Sequence, residues 1–166
     1  MPPKPLPPLS VLQALFSYSV VTGRLYWKKG SWKGHVAGRE RVGTRYLEVR
    51  FSRQSYGAHR LIWKLVTGSD PGTLDVDHVD GDRTNNSWLN LRIGTRSQNL
   101  CNRPKQSNNT SGFKGVSFFT PKGKWRAVLT YQGVSHHLGY FATPEEASLA
   151  YAEASRKIHG DFAYIP

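Results

Sequence analysis

The sequence is poor in cysteine, in acidic residues and in long apolar runs. Cys101 is the only cysteine among 166 residues, which excludes an intramolecular disulfide and a zinc site built on several cysteines. The sequence has 11 acidic residues and 23 Lys and Arg, which gives a net charge of +12. Nucleic acid is therefore the favoured partner. No stretch reaches the roughly 18 apolar residues of a membrane span, and no classical export signal is present. We therefore expect a cytoplasmic protein with no small-molecule cofactor.

The few acidic residues are unevenly placed. Residues 1–70 carry 12 basic and 3 acidic side chains, whereas residues 71–107 carry 5 and 4. The hydrophobic fraction of 38% can fill two or three small cores rather than one large core. The acids lie just beyond the most basic segment, which suits a metal site placed against a polyanion, although a solvated acidic loop is the simpler alternative.

The first third of the chain predicts a small, mostly stranded piece. Residues 1–9 are rich in proline and predict a loose arm, and Ser10 could cap a short helix that runs through Phe16. Strand-like runs follow at residues 22–27 and 45–51.

Residues 56–68 have the periodicity of an amphipathic helix that Gly68 would end. Apolar positions would face inward and basic positions outward; the former are Leu61, Ile62 and Leu65, and the latter are Arg60 and Lys64. His59 lies at the start of this helix, and a structural role is expected for it rather than a DNA or metal contact.

The acidic stretch "DVDHVDGDRTNNSWLNLRIGTRSQN" predicts a strand, a polar loop, a second strand and a helix. Asp77 would end the first strand and Asn99 would lie in the first turns of the helix. Their oxygen atoms could then converge on one hard cation, with His78 beside the metal. An EF-hand calcium loop is excluded because Gly81 at its sixth position would put Val76 at its first ligand. A plain Asx-rich turn explains the loop but not Asn99.

The run "HRLIW…DVDHVDGDRTNNSWLNLRIGTRSQNLCNR" resembles the HNH endonucleases, in particular phage and intron-encoded enzymes whose third motif residue is asparagine. The resemblance implies a ββα-metal (His-Me finger) module that cuts DNA to 5′-phosphate and 3′-hydroxyl ends with Mg²⁺ or Mn²⁺. It assigns the metal ligands to Asp77 and Asn99, the general base to His78, and to Asn90 both the bracing of the loop and the orientation of the base. Arg92 and Arg96 could contact phosphate, but ordinary surface arginines are an equal alternative.

The last third predicts three antiparallel strands at residues 112–119, 124–131 and 134–141, followed by a helix over 143–160. Thr143 would cap this helix, and Gly160 would end it. The helix would cover one face of the sheet.

The motifs "FKGV", "KWRA", "HHLGYF" and "EEASLAYAEASRKIHG" resemble the plant ethylene-response-factor (APETALA-two type) DNA-binding domain. In that family the uncovered sheet face lies in the DNA major groove. The candidate DNA contacts implied here are Lys114, Trp125, Arg126 and His137. For Trp125 a core position is the alternative.

Together these observations predict an α+β protein: a nuclease module plus a three-stranded antiparallel sheet packed on one helix. The predicted divisions are a leader (1–55), the nuclease (56–104), a linker (105–111) and a DNA-binding domain (112–166). The expected function is a metal-dependent DNA endonuclease with a homing or phage-competition role, acting on double-stranded DNA. Two alternatives remain, a non-catalytic DNA-binding protein and an RNA nuclease, and the oligomeric state is open.

Overall fold

The computed structural model describes residues 4–103, 105 and 109–163. The chain divides between Arg96 and Ser97 into two compact units. Part of the predicted linker, residues 106–108, lies outside the described residues. The α+β class is confirmed, with small antiparallel sheets and a few helices. No helix in the described part of the chain is long and apolar enough to cross a membrane.

The first unit contains two three-stranded antiparallel sheets, one two-stranded sheet and two helices. Its elements are α1 (Leu9–Leu15), β1 (Phe16–Ser19), β2 (Arg24–Trp27), β3 (Val36–Ala37), β4 (Arg39–Glu40), β5 (Leu47–Phe51), β6 (Gln54–Gly57), α2 (Ala58–Thr67), β7 (Asp75–His78) and β8 (Leu91–Gly94). The sheets have the strand orders β1-β2-β3, β4-β5-β6 and β7-β8.

One hydrophobic core joins the predicted leader to the predicted nuclease module. Phe16 and Leu25 from the leader cluster with Leu61, Ile62 and Val76, and each is at most 5% exposed. Burial of apolar surface at this density is the main stabilising term for a small unit. The β1-β2-β3 sheet is therefore part of the support of β7 rather than a separate appendage.

The predicted loose arm is wrong from Leu6 onward. The backbone N–H of Leu6 donates to Asp70 Oδ2 at 2.8 Å, and Lys64 Nζ donates to the carbonyl of Leu6 at 3.3 Å. Leu6 itself is 8% exposed. The helix that follows begins at Leu9 with Pro8 as its N-cap, so the cap predicted at Ser10 is also wrong.

Helix α2 ends as predicted, but its basic side chains do not face solvent. Gly68 has a left-handed φ of 78°, and its N–H closes the helix on the carbonyl of Lys64. The side chains of Arg60 and Lys64 are only 14% and 12% exposed, and both contact Asp70. Arg60 also donates to the carbonyl groups of Leu74 and Gly72. Periodicity predicted the inward apolar face correctly but could not show that a loop folds over the basic face.

The second unit contains a short helix, a three-stranded antiparallel sheet and a long helix. Its elements are α3 (Arg96–Cys101, which begins at the boundary), β9 (Val116–Phe119), β10 (Lys124–Tyr131), β11 (Val134–Phe141) and α4 (Pro144–His159), and the strand order is β11-β10-β9. The predicted sheet and helix are confirmed. Thr143 caps α4, and Glu146 completes a capping box with it.

Trp125 and Arg126 lie on opposite faces of this sheet, which corrects the expectation that they share one. Ala127, two residues from Trp125, is fully buried against α4 together with Ala147. Trp125 packs against this core, and its ring lies 5.2 Å from that of Phe118. Side chains alternate along a strand, so Arg126 points to the face that α4 leaves uncovered.

Candidate active site

The β7-β8 pair places a carboxylate opposite a guanidinium. Asp77 pairs with Arg92 in the strand register. Arg92 donates to Asp77 Oδ2 from Nε at 3.0 Å and from its terminal nitrogen at 2.7 Å. Asp77 is 8% exposed, so this charge-assisted pair fixes the carboxylate within the fold. Arg92, predicted as a phosphate contact, therefore has a structural partner that the sequence did not indicate.

His78, the last residue of β7, is held by an asparagine that sequence reasoning missed. Its Nε2 lies 2.9 Å from Asn86 Oδ1, and both side chains are 2% exposed. The amide nitrogen of Asn86 faces the carbonyl of Thr84 at 3.5 Å, which directs the amide oxygen to the histidine. With Asn86 in this orientation, His78 Nε2 donates to Asn86 Oδ1, which corresponds to the Nε2-protonated tautomer of a neutral ring.

Asn90, predicted to brace the loop, makes its described contacts with the loop itself. Its Nδ2 donates to Asp80 Oδ1 and to the carbonyl of Asn85, and its Oδ1 accepts from the N–H of Asp80. These three bonds close the polar segment that links β7 to β8. Bracing of the loop by Asn90 thus agrees with its contacts. The expectation that Asn90 also orients the base is corrected, because the side-chain hydrogen bond to His78 is made by Asn86. Two asparagines four residues apart gave no sequence signal to separate these roles.

The N-terminal sheet supports the loop at the same asparagine. The Tyr18 hydroxyl on β1 donates to the carbonyl of Asn86 at 2.9 Å. Gly23, in the β1-β2 turn, has a φ of +66°, and a Cβ there would lie 2.7 Å from the backbone nitrogen of Ser87. Any side chain at Gly23 would push the loop away, so glycine is required for this close approach. The segment that holds His78 is therefore supported by the β1-β2 hairpin at two points.

A second histidine lies beside the first. The ring of His59 is 5.4 Å from that of His78 and 5.0 Å from that of Tyr46. Its Nδ1 is buried with no hydrogen-bond partner among the described residues. Burial, with the charges of His78 and Arg60, lowers the pKa of His59 to about 3. His59 is therefore a neutral packing residue, as expected from the sequence.

The environment of His78 keeps its ring neutral. Burial lowers the pKa of His78 below its ordinary value and outweighs the opposing effects of the Asn86 hydrogen bond and three neighbouring aspartates. The aspartates are Asp77, Asp80 and Asp82. A neutral imidazole with a fixed tautomer is the form that can accept a proton from water.

Two other predicted site residues lie on or beside α3. Arg96, its first residue, contacts Asp75 Oδ2 at 3.4 Å through a side chain that is 71% exposed. Asn99 lies in the first turn of α3, as predicted, and its carbonyl accepts from the N–H of Asn102. Among the described residues no group of three or more His, Cys, Asp or Glu side chains could hold a metal ion. The Asp77 carboxylate and the Asn99 side-chain amide each carry a hard oxygen donor of the kind that Mg²⁺ and Mn²⁺ prefer.

The uncovered face of the second unit's sheet combines cations and aromatic rings. Arg126 lies over the ring of Phe119 at 5.4 Å, and Lys122 Nζ lies 4.0 Å above the ring centroid of Tyr140. His137 packs against Tyr140 at 4.6 Å. The buried Nε of Arg126 has no hydrogen-bond partner among the described residues. A basic surface with interleaved aromatic rings is typical of nucleic-acid contacts.

An open cleft of about 970 Å³ in the second unit borders this face. Its lining contains basic residues and no acidic residue; the basic residues are Arg103, Lys105, Lys114, Arg126, His137 and His159. Lys114 does not point freely into the cleft, because its Nζ donates to the carbonyls of Cys101 and Arg103 at 2.7 and 2.6 Å. Lys114 thus ties the end of α3 to the sheet, a role that the sequence did not indicate.

Comparison with known proteins identifies relatives of this chain. The family model described as HNH endonuclease matches residues 56–104. Protein 3.8 of Escherichia phage T7 is 31% identical over 105 residues, which cover 63% of this chain and 86% of that protein. A protein of Acanthamoeba polyphaga mimivirus named as an uncharacterized HNH endonuclease is 31% identical over 106 residues, covering 63% of this chain and 54% of its own length. No solved structure matches the chain.

Proposed function

Because the chain belongs to the HNH endonuclease family of DNA-cleaving hydrolases, we propose that it hydrolyses phosphodiester bonds of double-stranded DNA to 5′-phosphate and 3′-hydroxyl ends. The observation that carries this proposal is the contact between His78 Nε2 and Asn86 Oδ1 at 2.9 Å. It fixes a neutral imidazole beside Asp77 with Nδ1 as its basic atom. Such an arrangement suits activation of water at neutral pH.

In the proposed mechanism His78 Nδ1 accepts the proton of the attacking water. Asn86 and Asn90 are positioning residues, the first holding the ring and the second closing the loop. Only 2% of His78 is exposed, so DNA binding must open a path for water to Nδ1. General-base assistance of this kind is typically worth about a hundredfold to ten-thousandfold in rate.

Asp77 and Asn99 would hold a divalent cation, Mg²⁺ or Mn²⁺, in agreement with the general metal dependence of HNH nucleases. When bound, the cation supplies positive charge to the scissile phosphate and the departing 3′ oxygen. Arg92 holds one carboxylate oxygen of Asp77 and so orients the other. Two protein ligands, one already paired with an arginine, predict weak and exchangeable binding.

The second unit would supply DNA affinity through the uncovered face of its sheet. Arg126 and His137, with the neighbouring rings of Phe119 and Tyr140, are the proposed contacts. This assignment follows the resemblance of residues 112–166 to the ethylene-response-factor domain, with residues 56–104 as the nuclease. A homing or phage-competition role, in the cytoplasm of a host cell, fits both parts.

The proposal is tested by incubating the full chain with supercoiled plasmid and Mg²⁺. We expect cleavage that exhaustive chelation abolishes, and a loss of at least about a hundredfold in His78→Ala. Gel shifts without metal should show nearly unchanged DNA affinity for that variant, because phosphate contacts elsewhere supply the binding. A wild-type chain that binds but never cuts would instead indicate a non-catalytic DNA-binding protein, and preferential cutting of structured RNA would indicate an RNA nuclease.

A further inference from the structure

The turn between β2 and β3 is exposed along its whole length and yet has a defined shape. Every residue from Lys28 to His35, sequence KKGSWKGH, is exposed. We call this segment the KKGSWKGH turn. Its backbone is closed by hydrogen bonds from Gly34 to Trp27 at 2.8 Å and from Trp27 to His35 at 3.0 Å. The turn is therefore a fixed projection rather than a loose loop.

Two more contacts inside the turn shape its tip. The N–H of Lys33 donates to the carbonyl of Gly30 at 3.1 Å, and the N–H of His35 donates to that of Trp32 at 2.9 Å. At its base, Lys28 Nζ donates to the carbonyl of Gln13 on α1 at 2.7 Å. The base is thus anchored to the unit's core, and the tip carries the remaining side chains outward.

The tip presents a tryptophan between lysines. Trp32 is 64% exposed, and among the described residues its ring contacts one other ring, that of His35, at a centroid distance of 5.9 Å and nearly perpendicular to it. The turn contains three lysines and no acidic residue. A large aromatic group held in water is unfavourable unless a partner covers it, and the surrounding lysines favour a partner with negative charge.

We propose that the KKGSWKGH turn binds duplex DNA beside the cut site. Lys29 and Lys33 contact phosphates, and Trp32 packs against sugar and base edges in a groove. This inference rests on the proposed function, since it takes DNA as the substrate. It adds a binding element in the first unit, separate from the sheet of the second unit.

The position of the turn indicates which part of the DNA it contacts. Gly23, at the opposite end of β2, lies against the Asn86–Ser87 segment that holds His78. Five residues of extended chain from Gly23 to Lys28 span about 17 Å, equal to about five base pairs of B-DNA. The turn therefore contacts DNA that flanks the scissile phosphate. It contributes to affinity and leaves the chemical step to His78.

The test measures binding of the full chain to a fluorescein-labelled random-sequence duplex in EDTA, by anisotropy. Trp32→Ala should weaken binding about tenfold, and Trp32→Phe by much less because an aromatic face remains. The double variant Lys29→Ala/Lys33→Ala should lower the slope of log affinity against log salt by up to about 1.8, or 0.9 for each phosphate contact.

Matched controls remove an exposed apolar group or an exposed charge elsewhere. Val42→Ala changes a side chain that is 97% exposed in the β4-β5 turn, and Lys157→Ala changes one that is 73% exposed on α4. Both should bind like the wild type. The inference would be overturned if Trp32→Ala and Val42→Ala bound the duplex with equal affinity. It would also be overturned if Trp32→Ala lost self-association of the chain but kept its affinity for DNA. Because binding is measured without metal, it does not depend on cleavage. Failure of the wild type to cleave would overturn the proposed function, but the binding measurement would still test the role of the turn.

Discussion

The polar loop that follows His78 and the uncovered sheet face of the second unit use polar groups in opposite ways. In the loop, Asn86 and Asn90 are satisfied by partners within the first unit. On the sheet, Arg126 has a buried Nε with no hydrogen-bond partner among the described residues and lies over an aromatic ring. Buried polar groups without partners cost free energy that a ligand can recover.

This difference separates chemistry from binding. A general base must keep one orientation and one tautomer, so its loop is closed by internal hydrogen bonds. A surface for a long polyanion must present unpaired donors and charge. We expect substitutions in the loop to change turnover at constant affinity, and substitutions on the sheet to change affinity at constant turnover.

The largest effect should come from Asn86. Asn86→Leu keeps the side-chain volume but removes the acceptor for His78 Nε2, so the tautomer and ring orientation are lost. Single-turnover cleavage should fall on the order of a hundredfold, while DNA affinity stays constant. Asn86→Asp, which retains an acceptor oxygen, should recover part of the rate. Nitrogen-15 NMR of His78 should show the Nε2-protonated tautomer in the wild type and a mixture in Asn86→Leu.

The control for this comparison is Asn85→Ala in the same loop. Asn85 donates to Asp80 Oδ2 at 2.7 Å but makes no described contact with His78. It should lower thermal stability to a similar extent and leave the His78 tautomer unchanged. The alternative is that Asn86 only supports the loop. In that case the single-turnover cleavage rate would fall equally in Asn85→Ala and Asn86→Leu, and Asn86→Asp would recover none of it.

An intermediate effect is expected on the stability of the first unit. His59 has a pKa near 3 in the folded chain and about 6.5 when unfolded. Above pH 6.5 both states are neutral and the stability is complete. As pH falls below 6.5, the unfolded state binds the proton first, and stability declines by up to about 1.4 kcal/mol per pH unit.

Thermal unfolding between about pH 7 and pH 5 measures this decline. His59→Phe keeps an aromatic ring next to Tyr46 but cannot titrate. Its free energy of unfolding should decline less than that of the wild type, by about 2 kcal/mol at pH 5. If the free energy of unfolding declined in parallel with pH in the wild type and in His59→Phe, His59 would not be buried in its neutral form.

The smallest effect should come from Arg126. Arg126→Ala removes a cation from the uncovered sheet face, and we expect about fivefold weaker DNA binding with a salt slope reduced by about 0.9. The cleavage rate at saturating enzyme should not change. Trp125→Phe, on the opposite face, serves as the control for packing. If Arg126→Ala bound DNA with unchanged affinity, the sheet face would not be a DNA contact. The contrast between a binding face and a catalytic loop would then be wrong.

Patterns of single elements were readable from the sequence. Helix α2, helix α4, its Thr143 cap and the last two strands of the last sheet were predicted nearly to their ends, since periodicity and turn residues are local signals. The first strand of that sheet begins at Val116, four residues later than predicted. Membership of the HNH family was also predicted and is confirmed. The roles of Asp77, His78, Asn90 and Asn99 stay predictions, which the cleavage assays test.

Contacts between distant segments were not readable. The partner of His78 depends on how the loop closes, and Tyr18 and Gly23 help to set that closure from more than 60 residues away along the chain. The same holds for Lys64, which looked solvent-facing on its helix but contacts Leu6.

The amino-acid sequence by itself determined the motif, the element types and the strong positive charge, because each depends on residue identity and short spacing. Only the tertiary structure decided which asparagine holds the histidine and on which sheet face Trp125 lies. The physical reason is that a hydrogen bond or a packing contact requires two groups to meet in space. Which groups meet is fixed by the shared core, not by the residues on either side of them.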